Sequence, residues 1–186
     1  SSLVVLKGLT SAPTGGIVAA ATTSLPEAIG GSRNWDYRYC WLRDATFTLY
    51  SLLVAGYEDE AAAWRDWLLR AVAGEPDEMQ IMYGPAGERH ITEYELPWLP
   101  GYEGSAPVRI GNAAATQVQL DVFGPVVDLI DVLLERDVPL SSEHWRLADA
   151  MVSAVAQRWE EPDHGIWEIR QPRRHHVHTK VMCWLT

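Results

Sequence analysis

Phenylalanine is nearly missing from this chain, with two residues in 186, and cysteine is equally scarce. Two cysteines, Cys40 and Cys183, lie far apart and do not make a disulfide framework. They read as free thiols in a reducing, cytoplasmic compartment. Positive charge is in the minority: 15 Lys and Arg stand against 25 Asp and Glu, a net charge of −10. An acidic chain repels phosphate backbones and anionic lipid, so no nucleic-acid and no membrane partner is expected. Long apolar runs are lacking too; Leu3 to Leu6 is far too short for a signal core or a membrane span. The chain has no Gly-rich phosphate loop, no alternation of strands and helices, and no sustained heptad. Disorder is excluded by a content of 47% hydrophobic and 22% charged residues.

What the chain has instead is tryptophan. Nine Trp and seven Tyr are present. Large amphipathic rings suit the apolar C–H faces and hydroxyl rims of sugars; the plain alternative is a core that happens to use Trp.

Punctuation divides the chain into helices and long loops. An apolar stretch, Leu3 to Leu9, reads as the end of a helix. Thr10 to about Arg43 holds Pro13, Gly15-Gly16, Pro26 and Gly30-Gly31 and reads as one long loop. From Asp44, the spacing of Ala45, Leu49, Leu52 and Leu53 predicts a helix ended by Gly56. A second helix fits Glu58 to Val72, with Ala61, Trp64, Leu68 and Val72 on one stripe, closed by Gly74 and Pro76. The segments 80–83 and 89–92 flank Gly84-Pro85-Ala86-Gly87 and predict one small β-hairpin. A second loop runs from Leu96 to Gly111. The apolar stretch Ala113 to Glu135 reads as helix kinked or split at Gly124-Pro125. Ser142 is the expected cap of a further helix, with Trp145, Ala148, Val152, Val155 and Trp159 on one face. A third loop follows, and Val177 to Thr186 starts another helix. The fold class is all-α with long loops.

Four clusters are candidates for chemistry. In Asn34 to Asp44 (NWDYRYCWLRD), Arg43 and Asp44 together offer a donor fork and a two-oxygen acceptor, which is what a sugar diol needs. A surface ion pair beside buried aromatics is the plain alternative. In Asp163 to Arg170 (DHGIWEIR), Glu168 follows Trp167 in a Gly/Pro-marked loop. A carboxyl against an apolar ring keeps its proton to higher pH, as a general acid must. The alternative is a solvent-facing Glu in an alternating strand. His175, His176 and His178 suggest a metal, but neighbouring histidines diverge and no acid or Cys with ligand spacing accompanies them, so no metal and no cofactor is expected. The run Ser105 to Asn112, with Arg109, ends at a plausible helix cap, Asn112.

These residues carry a resemblance. Thr22 to Asp44 is similar to the start of the catalytic domain of glycoside hydrolase family 15, the family of glucoamylases and of bacterial and archaeal trehalases. Gly101 to Asn112 resembles that family's next signature, and Gly165 to Arg170 its third. The resemblance implies half of an (α/α)6 toroid, so that residues 1–186 form one partial catalytic domain truncated at both ends. It implies an inverting hydrolysis of α-glucosidic bonds, with Glu168 as general acid. Trp41, Arg43 and Asp44, with Tyr37 beside them, are implied to grip the non-reducing glucose. Trp167, Arg170 and Arg109 are the further substrate-binding candidates. The expected partner is a glucose-containing disaccharide or oligosaccharide. The family's general base lies in the second half of the toroid, hence beyond Thr186. Ile169 stands where the glucoamylase branch continues with a second acid, and Ala106 where it has a Trp; both departures favour the trehalase-like branch. A non-catalytic sugar-binding protein on the same scaffold is the rival reading. The apolar ends of unpartnered helices, such as Trp184 and Leu185, make a homo-oligomer possible.

Overall fold

A computed structural model describes residues 2–72 and 79–186. Six α-helices dominate those residues: α1 (Ser2–Gly8), α2 (Leu42–Val54), α3 (Glu58–Val72), α4 (Phe123–Glu135), α5 (Ser142–Arg158) and α6 (Val177–Leu185). The apolar stripes read from the sequence decide the packing. Ala45, Leu49, Leu52 and Leu53 of α2 are all buried, as are Ala61, Trp64, Trp67, Leu68 and Val72 of α3. All but Leu52 share one core with Leu129 and Leu133 of α4 and Leu147, Met151 and Val155 of α5. The residues named as closing α3, Gly74 and Pro76, lie outside the described residues.

Two details differ from the sequence pattern. The stretch from Ala113 breaks before Gly124 rather than at it. Two 3-10 turns, Ala113–Thr116 and Leu120–Val122, precede α4, so Pro125 falls in the first turn of α4, where a missing N–H costs nothing. In α5 the cap is Ser141, not Ser142; its backbone N–H donates to His144 Nδ1 at 3.0 Å. The buried face of α5 is His144, Leu147, Ala148, Met151 and Val155. Trp145, Val152 and Trp159 remain exposed, Val152 and Trp159 along a groove beside α6.

The β structure is small and long-range. Strand β1 (Cys40–Trp41) pairs antiparallel with β2 (Met82–Tyr83), with Trp41 opposite Met82. Strand β3 (Tyr94–Glu95) pairs with β4 (Arg109–Ile110). The turn at 84–87 forms, with Gly84 N–H donating to Glu88 O at 2.8 Å, but its flanks do not form a ladder with each other. The 80–83 flank is taken by β1 instead, and the small hairpin-like pairing falls at β3 and β4. Two-residue strands have no register of their own, and here the packing of Trp41, Ile81, Met82 and Ile91 sets it.

The long first loop is ordered by polar ties. Asn34 Nδ2 donates to Gly31 O at 3.0 Å and to Ser105 O at 3.2 Å. Asp36 is fully buried, paired with Arg38 and accepting the Gly111 N–H at 3.1 Å. That approach needs glycine: Gly111 has φ +77°, and a Cβ there would collide with the backbone of Thr92. Gly111→Ala is expected to lower unfolding stability by at least about 2 kcal/mol, read by urea denaturation. A change within about 0.5 kcal/mol would show that the loop tolerates the shift.

Cys40 and Cys183 are buried and free, and burial pushes the Cys40 thiol up to about 12. Among the described residues no helix is long and apolar enough to cross a membrane.

Candidate active site

The site forms where the N-terminal end of α2 meets the third loop. Strand β1 feeds directly into α2, so Trp41, Arg43 and Asp44 leave one point of the backbone in different directions. Asp44 lies in the first turn of α2, where the helix dipole favours a carboxylate.

The third loop is stapled down rather than free. Asp163 is buried; it accepts the Leu120 N–H at 3.1 Å and the Thr179 hydroxyl at 3.0 Å. His164 exchanges bonds with Val118: its N–H donates to Val118 O at 3.0 Å, and its Nδ1 accepts the Val118 N–H at 3.1 Å. Gly165 turns the chain with φ +70°, and Glu168 follows with φ +52°, a conformation uncommon for a residue with a side chain. Gln117 Nε2 holds the Glu168 carbonyl at 3.2 Å.

That strained turn delivers the Glu168 carboxyl to α2. Its Oε1 accepts the Trp41 indole N–H at 2.9 Å and Arg43 Nη2 at 3.1 Å. Burial raises the Glu168 pKa above the usual carboxylate range, with the Arg43 charge pulling against it. Asp44 is raised by burial as well. The ring in contact with the carboxyl is Trp41, not its sequence neighbour. Trp167 is 80% exposed, because adjacent residues of a turn point apart.

Arg43 is the hub. Its Nη1 donates to Gln119 Oε1 at 3.1 Å and to Asp121 Oδ2 at 3.4 Å, while Nη2 lies 3.6 Å from Asp44 Oδ2. One guanidinium thus faces three carboxyl groups, Asp44, Asp121 and Glu168.

Of the residues singled out from the sequence, Tyr37, Trp41, Arg43, Asp44, Trp167, Glu168 and Arg170 line one cleft of about 940 Å3. Arg109 does not line it. Arg109 is buried behind Trp35, its Nη2 donating to Glu95 Oε1 at 3.1 Å and its guanidinium 4.7 Å from the Trp35 ring centre. Trp35 separates it from the cleft, and Arg170 lies 4.1 Å from the same ring. Glu93 fixes Arg170 with two bonds, of 2.9 and 2.5 Å, and these hold the Glu93 carboxyl below its usual range. Asn112 caps its turn as read, Oδ1 accepting the Ala114 N–H at 3.0 Å. His178 faces Asp121 at 3.6 Å, and the His176 ring packs on Gly165. Among the described residues no three His, Cys, Asp or Glu side chains converge as metal ligands would.

Sequence reasoning passed over Gln117, Gln119 and Asp121. Their signal was an alternation: three polar side chains at every second position, 117, 119 and 121, inside an otherwise apolar stretch.

Comparison with known proteins fits this geometry. A family model described as glycosyl hydrolases family 15 matches residues 1–186. The chain is 43% identical over 187 residues to a trehalase of Mycolicibacterium smegmatis, covering 99% of this chain and 28% of that protein. A trehalase of Mycobacterium tuberculosis is 42% identical, with 99% and 28% covered. Trehalase 1 of Sulfolobus acidocaldarius is 42% identical, with 100% and 34% covered. The chain therefore spans about a third or less of the length of these relatives. No solved structure matches it.

Proposed function

Since the chain belongs to glycosyl hydrolases family 15, we propose that its cleft supplies the sugar grip and the general acid for hydrolysis of an α-glucosidic bond, trehalose before maltose-type substrates. One observation carries this reading: Glu168, raised in pKa by burial, is aimed into a sugar-sized cleft by Trp41 and Arg43.

In the proposed reaction the non-reducing glucose lies against Trp41. Arg43 donates to its hydroxyls and Asp44 accepts from them. Glu168 passes its proton to the glycosidic oxygen as the C1–O bond breaks. Charge accumulates on the ring, and water attacks C1 from the opposite face, losing its own proton to a carboxylate base. That base is assigned to residues outside 1–186. The choice of trehalose is supported by the names of the relatives and by Ile169, an apolar cleft residue where a chain-cleaving site has an acid. The second sugar then meets the wall made by Trp35 and Arg170.

Stereochemistry tests the inverting step in the full-length protein. Attack opposite the leaving group turns α,α-trehalose into one β-glucose and one α-glucose, because only one anomeric carbon reacts. Proton NMR of the first turnovers is expected to show the two anomers in equal amounts. Two equivalents of α-glucose would sink the inverting assignment.

A further inference from the structure

Asp121 is a fully buried carboxylate that the reaction above does not use. It lies in the 3-10 turn 120–122 on which α6 packs, and its Oδ2 touches Arg43 Nη1 at 3.4 Å and His178 Nε2 at 3.6 Å. Its other oxygen, Oδ1, is buried with no hydrogen-bond partner among the described residues. A buried carboxylate left half-satisfied is costly, and a hydrophobic side chain of this volume would pack there without that cost. The position of Asp121 is explained by what stands on the far side of Arg43. The guanidinium has two ends: Nη1 is held by Asp121 and Gln119, and Nη2 is thereby presented to Glu168.

Resting on the reading of Glu168 as proton donor, we propose that Asp121 is a positioning residue: it fixes the Arg43 guanidinium and takes up part of its positive charge, so that Glu168 beside it keeps its proton. The charge arithmetic favours this. Arg43 is a single positive charge among three carboxyl groups. If Arg43 faced Glu168 alone, it would hold that carboxyl ionised, and an ionised carboxylate donates no proton. Sharing the charge with a buried, water-excluded partner weakens the pull on Glu168 without moving the arginine from the sugar. The other titratable groups facing the pair are few. Asp44 and Tyr37 face Glu168 from the cleft; His178, Asp163 and Cys183 face Asp121 from the third loop and α6. Burial raises Asp121 itself, and Arg43 opposes this.

The test is the pH dependence of kcat/KM on trehalose in the full-length protein. Loss of activity at the alkaline side reports ionisation of the acid. Asp121→Asn keeps the shape but not the charge, so Arg43 shares its charge with Asp44 and Glu168 only and turns more of it on Glu168, and the alkaline limb is expected to move down by about 1 pH unit. Gln119→Glu does the reverse: it places a second carboxylate on Nη1 and is expected to move the limb upward. Opposite shifts from two nearly isosteric changes are not produced by a merely structural role. An unmoved limb in a folded Asp121→Asn protein overturns the proposal. If that variant does not fold, an unmoved or lowered limb in Gln119→Glu overturns it equally. Failure of the underlying reading is distinguishable: Glu168→Gln would then slow trehalose and an α-glucosyl fluoride equally and by only a few-fold.

Discussion

Glu168→Gln is expected to lower kcat on trehalose by ~10²–10⁴-fold, the usual contribution of a positioned general acid. Glutamine matches glutamate in size, and its carbonyl oxygen still accepts the Trp41 indole N–H and the Arg43 guanidinium. What it lacks is a proton to give. Substrate binding should therefore persist, because Trp41, Arg43 and Asp44 are untouched. The leaving group separates this from general damage. An α-glucosyl fluoride departs with little protonation, so its hydrolysis should lose far less than that of trehalose. Asp44→Asn should behave differently: both substrates suffer, since a grip that tightens toward the transition state serves either leaving group. If Glu168→Gln slows both substrates equally and by only a few-fold, Glu168 is an ordinary loop carboxylate.

The second large effect is on stability. Arg43→Leu removes the guanidinium 3.4 Å from the buried Asp121 Oδ2 and, among the described residues, leaves only the His178 ring, at 3.6 Å, within 4 Å of it as an ion-pair partner. Breaking a buried pair from one side costs about 3–5 kcal/mol, because the remaining charge is cut off from water and has lost its guanidinium partner. The cost is pH-dependent with a definite sign. Burial already raises the Asp121 pKa against the pull of Arg43, and without Arg43 it rises further. Below its unfolded value the carboxyl is neutral in both states, and the charge penalty is absent. As pH rises through the unfolded and then the folded value, the folded state must hold a bare carboxylate, and stability is lost. The stability difference from the parent should thus be wider at about pH 8 than at about pH 5, measured by urea denaturation at both. A difference below about 1 kcal/mol at both values would show that water reaches Asp121.

Much of this architecture is legible in the residues. Stripes such as Ala61, Trp64, Leu68 and Val72 decide α3 by spacing alone, because a helix is local and its buried face repeats within the window being read. The aromatic and charged motif at 34–44 and the loop at 163–170 supply most of the cleft lining, and they are recognisable because aromatic and charged side chains crowd there without helical or strand period. What is not legible is whatever depends on distant partners. The turn at 84–87 is real, yet its flank at 82–83 pairs with Cys40-Trp41, a choice made by the packing of Trp41 against Met82 and Ile91. Arg109 resembles a ligand-binding arginine in sequence, but Trp35 stands between it and the cleft. Likewise nothing local marks Asp121 as the partner of Arg43; only the fold brings 121 against 43.

The backbone at Glu168, at φ +52°, narrows what evolution can place there. Glycine, asparagine and aspartate enter the left-handed region most readily. Glycine and asparagine have no acidic proton. Aspartate has one, but its carboxyl is a methylene short of a position where a single oxygen meets both the Trp41 indole and the Arg43 guanidinium. If Glu168 is the proton donor proposed above, the residues that would relax the turn are the ones that cannot do its chemistry, and random drift at this position toward a more comfortable backbone is drift away from the proposed function. On that proposed role, selection for greater stability and selection for turnover pull position 168 in opposite directions, while at Gly111 or along the α3 stripe they pull together.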